Sequence, residues 1–281
     1  MKWQGRRQSS NVNIGGAGRR GGMAPIGGGG LLIIMLIVFL MGGNPLEVLN
    51  NGSSRNTTQQ VSTQHSQETK TRQEFLSVVL ADTEDVWKEI FKQHNLNYSE
   101  PQLTLYTGSA QSACGTASSQ TGPFYCPGDE TVYMDTDFYD DLHNKFGATG
   151  DFALAYVLAH EVGHHVQHQL GVLDQVFALK NKLSEVEFNQ YMIRLELQAD
   201  YYAGVYAHYA KKMGYLEPGD IEEAMNAAAG VGDDRIQEQA YGKSIPDTFT
   251  HGTSEQRMRW FKKGYESGTI EAGDTFSVKN L

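Results

Sequence analysis

Residues 160–168 read HEVGHHVQH, and the eight residues before them, FALAYVLA, carry no charge. Few folds accommodate that combination. A helix from 151 to about 169 is apolar on nearly every side and has to be buried. Burying His160, Glu161 and His164 without partners would be costly. On a helix, residues i and i+4 share a face, so the two imidazoles can meet at one point with Glu161 beside it. This HExxH spacing suits one tetrahedral Zn2+, with the glutamate as base. Gly163 leaves room for another element to approach the motif. His165 points away from the pair and His168 lies a turn further on; both read as supporting or solvated groups.

Zinc needs a third protein ligand. Gln167 and Leu170 stand where the metzincin pattern needs glycine and histidine, which excludes that class. A later segment, LELQADYYAG at 195–204, places Glu196 and Asp200 at i and i+4. Their face also carries Met192, Ile193, Ala199, Ala203 and Ala207, so both carboxylates turn toward an apolar, small-residue side. Inward carboxylates call for a cation.

The rest of the chain reads as mainly helical α+β with a small sheet. Phe75, Val78, Val79, Val86, Ile90 and Phe91 recur at helical spacing up to about Asn95. LTLY (103–106) and TVYM (131–134) read as strands, and 135–146 as a short helix. Thr149 or Asp151 would cap the motif helix, with Gly171 past its end. Ser184 with Glu187 opens a long helix to about Lys212, PGD at 218–220 opens another, and Thr253 with Gln256 opens the last. Cys114 and Cys126 sit in one Gly/Ser/Thr/Pro-rich stretch. They read as a disulfide stapling it, with two free thiols as the alternative.

Charge is divided unevenly. The chain has 33 acidic and 23 basic residues, yet the first 46 contain five bases and no acid. An acidic remainder argues against nucleic acid as a partner. Residues 21–46 are uncharged and include LLIIMLIVFLM at 31–41. That run is short for a span and also fits a signal-peptide core or a buried helix. The long segment before it and the lack of an A-x-A-like site favour an uncleaved anchor. The expected organisation is a cytoplasmic basic Gly-rich tail (1–23), a transmembrane anchor (24–46), a polar linker (47–70) and a zinc metallopeptidase domain (71–281). The positive-inside rule then places the N-terminus in the cytoplasm and the domain on the periplasmic side of the inner membrane.

With HExxH followed by ExxxD, the sequence resembles the gluzincin peptidases. More narrowly, it is similar to the bacterial neutral zinc metallopeptidase family of YpfJ type, through CG…GPFYCPGDETVYMD, AHEVGHHVQ, RLELQADYYAG and HGTSEQRMRWF. The resemblance implies a zincin-like fold and a membrane-anchored zinc peptidase. Mapped onto this chain, His160, His164 and Glu196 would bind one Zn2+, and Glu161 would be the general base. Asp200 would accept a hydrogen bond from a zinc-bound imidazole. His251, with Tyr201 or Tyr202 behind it, is the candidate donor to the transition state, or else a residue packing before the last helix. A peptide or protein is the expected substrate. Two alternatives stay open: a zinc amidase of deformylase type with a cysteine ligand, and a non-catalytic zinc-stabilised binding protein.

Overall fold

The computed structural model describes residues 1–15, 63–118 and 121–281. Its elements are β1 (Val12–Ile14), α1 (Thr63–Gln93), β2 (Gln102–Tyr106), β3 (Ser109–Ser112), β4 (Gly115–Ser118), β5 (Phe124–Cys126) and β6 (Thr131–Asp135). There follow α2 (Phe138–Asn144), α3 (Asp151–Gln169), α4 (Val172–Phe177), α5 (Glu185–Lys212), α6 (Asp220–Gly230), α7 (Asp233–Tyr241) and α8 (Ser254–Ser267), with 3₁₀ turns at Pro246–Thr248 and Glu271–Gly273. The architecture is mainly helical α+β with small sheets.

The motif helix α3 is the axis of the fold. Every residue from Phe152 to Gln167 is buried, and α1, α5, α6 and β5 pack around it. Its N-terminus differs from the expectation. Gly150 occupies the cap position at φ 96° without a side-chain cap. The Phe152 N–H instead donates to Glu223 of α6 at 3.0 Å. The cap comes from a helix some seventy residues later, which local spacing cannot reveal. Gly171 lies past the helix end at φ 72°, in the left-handed region that glycine tolerates. The Ser184–Glu187 and Thr253–Gln256 capping boxes both form.

The larger sheet has the order β1-β2-β6-β5, with β1, β2 and β6 parallel and β5 antiparallel to β6. Leu103, Leu105, Val132 and Met134 join the core with Phe75, Val79 and Trp87 of α1. β3 and β4 form a separate hairpin. The hairpin and the edge strands β1 and β5 escape the sequence reading, being short and partly Gly/Ser-rich. The Cys114–Cys126 disulfide, with S–S 2.03 Å, ties the hairpin turn to β5.

The N-terminal segment overturns the expected single-pass topology. One span within 24–46 would put residues 1–23 and the domain on opposite sides of a bilayer. Instead Val12–Ile14 pairs with Leu103–Leu105 in the same sheet. Trp3 packs on Phe75, the Met1 nitrogen lies 2.6 Å from Asp151, and Ser9 donates to the buried Glu84. Of the basic residues read as a cytoplasmic flank, Arg6 and Arg7 are partnered within the fold, while Arg19 and Arg20 lie outside the described residues. Arg6 pairs with Asp82, and Arg7 with Glu84 and Asp85. Among the described residues no helix is long and apolar enough to cross a membrane. The expected anchor at 24–46 lies outside the described residues, as does most of the expected linker; α1 begins at Thr63.

Candidate metal centre

Two helix contacts bring the candidate residues together. Where α3 crosses α5, a Cβ on Gly163 would stand 3.0 Å from the Ala199 carbonyl oxygen and 3.1 Å from its Cα. Where α5 crosses α8, a Cβ on Gly204 or Gly264 would strike the other helix's backbone. The missing side chains let all three helices approach closely, with Glu196 and Asp200 of α5 between the HExxH face of α3 and Arg257 of α8.

The donor atoms converge. His160 Nε2 lies 3.2 Å from Glu196 Oε2, and His164 Nε2 lies 3.5 Å from Glu196 Oε1. One ligand atom from each of the three residues falls within 4.8 Å of the others. Ligands bonded to a tetrahedral zinc at ~2.0–2.1 Å sit about 3.3 Å apart. The two nitrogen–carboxylate distances, each to a different oxygen of Glu196, are close to that value, and two neutral imidazoles with one carboxylate suit zinc. The set therefore fits the ion. All three residues, with Glu161, are nearly sealed from solvent.

Asp200 is fully buried and holds the back of the site. Its Oδ1 accepts from His160 Nδ1 at 2.8 Å, Tyr156 Oη at 2.5 Å and an Arg257 nitrogen at 2.9 Å, and its Oδ2 accepts from Arg257 Nε at 2.8 Å. A carboxylate so placed only accepts, so the neutral His160 ring, the form that binds a cation, carries its proton on Nδ1 and aims the Nε2 lone pair at the shared point. Burial works against the Asp200 charge, but Arg257 and then His160 bring its pKa down to about 2. Burial also opposes protonation of His160. The Asp200 charge and hydrogen bond outweigh it and raise the pKa to about 9, so a cation binding there displaces a proton. Burial raises the Glu161 pKa, partly offset by His164 and His160, in the direction a base needs.

The sequence reading missed Arg257 and Tyr156. Both had a signal. Arg257 shares the apolar face of α8 with Trp260, Phe261 and Gly264, and Tyr156 stands one turn before His160 on α3. His251 does lie in the pocket that contains the two imidazoles, Glu161, Glu196 and Arg257. Its ring is 3.4 Å from Asp233, whose other carboxylate oxygen accepts the backbone N–H groups of Thr250, His251 and Gly252. Tyr201 and Tyr202 are not behind it. The Tyr201 hydroxyl binds Ser267 and Thr269, and Tyr202 packs on Trp87. His165 is buried and bonds Tyr125 and the Ser99 carbonyl, while His168 faces Glu130 at 4.0 Å, so neither touches the candidate ligands. Cys114 and Cys126 are bonded to each other, which removes the thiolate that a deformylase-type ligand set requires.

The pocket is a cavity of about 120 Å³ lined by the apolar Phe138, Phe146, Val157, Val231 and Ile236 and by Gly122–Pro123, just before β5. Fold and donor set together define a class, a mainly helical α+β protein with a constellation of donors on two buried helices that could hold a metal ion. The family model described as "Putative neutral zinc metallopeptidase" matches residues 1–276, and the chain belongs to that family. It is 45% identical over 287 aligned positions to the uncharacterized protein YpfJ of Escherichia coli K12, covering 98% of this chain and 99% of the relative. It is 46% identical over 207 positions to the uncharacterized protein Rv2575 of Mycobacterium tuberculosis H37Rv, covering 70% of this chain and 68% of the relative. No solved structure gives a significant match.

Proposed function

We propose that this protein hydrolyses peptide bonds with one Zn2+ held by His160, His164 and Glu196, and with Glu161 as general base. The observation that carries the reading is the convergence of the three donors at zinc-ligand spacing, with Glu161 on the wall of the same pocket. A zinc ion bound there would supply Lewis acidity, polarising the scissile carbonyl and lowering the pKa of a water to about 7. Glu161 takes the proton of the attacking water and passes it to the leaving amine. His251 lines the same pocket, steadied by Asp233, and donates to the oxyanion as it forms. Burial opposes its protonation, but Glu196 and Asp233 raise its pKa and so favour the donor form. Asp200, clamped by Arg257, keeps the His160 ring in its ligating tautomer. The apolar wall favours substrates with an apolar side chain beside the cleaved bond.

The test compares wild type with Glu161→Gln on an unfolded protein substrate. The variant is expected to retain stoichiometric zinc and to lose hydrolysis by roughly 10²–10⁴-fold. Zinc retention with unchanged hydrolysis refutes the role of Glu161. A wild type that binds zinc and cleaves no peptide supports a zinc-stabilised binding protein instead.

A further inference from the structure

The second histidine of the motif has a different support from the first. His160 leans on a carboxylate. His164 Nδ1 lies 2.9 Å from the side-chain oxygen of Gln167, one turn on in the same helix. A neutral amide offers an acceptor at one end and donors at the other, so its effect depends on which way it faces. Here its neighbours decide. Gln167 Nε2 lies 2.7 Å from the Leu195 carbonyl oxygen, which only accepts. It also lies 3.1 Å from Gln198 Oε1. That group is an oxygen because the other end of the same amide, Gln198 Nε2, donates to the Gly273 carbonyl at 3.0 Å. Two backbone carbonyls, which cannot change sign, thus set the polarity of the whole chain of bonds. The Gln167 oxygen has to face His164, and an acceptor there requires the proton on Nδ1. The Nε2 lone pair is left pointing at the Glu196 side of the pocket. Gln167, Gln198 and His164 are all buried, so water does not compete for these bonds.

The same amide also grips α5. Leu195 supplies the peptide carbonyl immediately before Glu196, and Gln198 lies two residues after it. We propose that Gln167 is a positioning residue that fixes the metal-binding tautomer of His164 and anchors the backbone carrying Glu196, with Gln198 and the Gly273 carbonyl as its outer support. The inference rests on the metal-site reading above. It joins one ligand from α3 to another from α5 through a single side chain, and it makes the C-terminal 3₁₀ turn part of the site's framework. Supporting groups around metal ligands typically contribute 10–100-fold in metal affinity.

The experiment uses the full-length chain and has two readouts. Nitrogen NMR of the metal-free wild type at mildly alkaline pH reads the His164 tautomer, and chelator competition reads zinc affinity in wild type and Gln167→Leu. The expected result is an Nδ1–H tautomer in wild type that no longer dominates in Gln167→Leu, with zinc bound roughly 10–100-fold more weakly by the variant. An Nε2–H tautomer in wild type, or a Gln167→Leu zinc affinity within about twofold of wild type, overturns the proposal. Should Gln167→Leu fail to fold, Gln198→Leu takes its place. A severalfold loss of zinc affinity supports the proposal, and an unchanged affinity overturns it. Failure of the metal-site reading looks different: wild type then binds no stoichiometric zinc, while the tautomer measured in the metal-free protein still decides the role of Gln167.

Discussion

At the scale of single residues, the site is an arrangement of buried charges that hold one another. Asp200 and Arg257 are both sealed from water, and each is tolerable only because the other is present. Arg257→Met leaves Asp200 as an unpaired buried carboxylate and is expected to destabilise the metal-free protein by about 3–5 kcal/mol. The double variant Arg257→Met with Asp200→Asn removes both charges and recovers most of that loss. Urea denaturation of the singles and the double checks this; equal and additive losses would mean that the two side chains act independently. The HExxH histidines, Glu196 and Asp200 were legible in the sequence because each pair repeats at i and i+4 on its own helix. Arg257 lies 57 residues from Asp200, and no local spacing links them.

At the scale of elements, helix ends and crossings fix the geometry. The motif helix has no cap of its own and borrows Glu223 from α6. Its first-turn N–H groups favour a negative partner, and a capping bond contributes about 1 kcal/mol. Glu223→Ala is expected to destabilise the protein by about 1 kcal/mol in urea unfolding, with smaller loss in Glu223→Gln, whose amide oxygen still accepts. Equal stability of wild type and Glu223→Ala would show that the Phe152 bond contributes nothing. The capping boxes of α5 and α8 were readable because both partners lie within four residues. The crossings were only half readable: Gly163 announced a close approach, but not that Ala199 would make it.

At the scale of the whole molecule, the sheet and the helical layer meet at the buried His165, which binds Tyr125 of β5 and the Ser99 carbonyl just before β2. Burial, with a smaller push from His168, lowers its pKa from 6.5 to about 4 against the favourable Ser99 bond. Between those values the unfolded chain binds the proton that the folded protein refuses, so stability falls as pH drops from 6.5 toward 4. A shift of that size corresponds to about 3 kcal/mol at the acid end. Denaturation of wild type and His165→Gln at several pH values is expected to show a shallower acid loss in the variant. Parallel curves would place the acid sensitivity elsewhere. The N-terminal strand acts on the same scale, joining the sheet next to β2 and bringing Arg6 and Arg7 onto the acidic residues of α1.

The sequence alone determined what short-range chemistry can determine. A helix too apolar for solvent, carrying two imidazoles in register, must be buried against something that satisfies them, and carboxylates on the small-residue face of a later helix are suited to that role. Only the tertiary structure decided how those helices meet, which arginine neutralises Asp200, which amide orients His164, and that residues 1–15 belong to the same body as the motif. The reason is physical. Periodicity and capping are set by neighbours within a turn or two, whereas the pairing of Arg6 with Asp82 or of Arg257 with Asp200 exists only after the chain has closed on itself. Basic residues such as Arg6 and Arg7 ahead of an apolar run look the same in sequence whether they face a membrane or a carboxylate-rich helix.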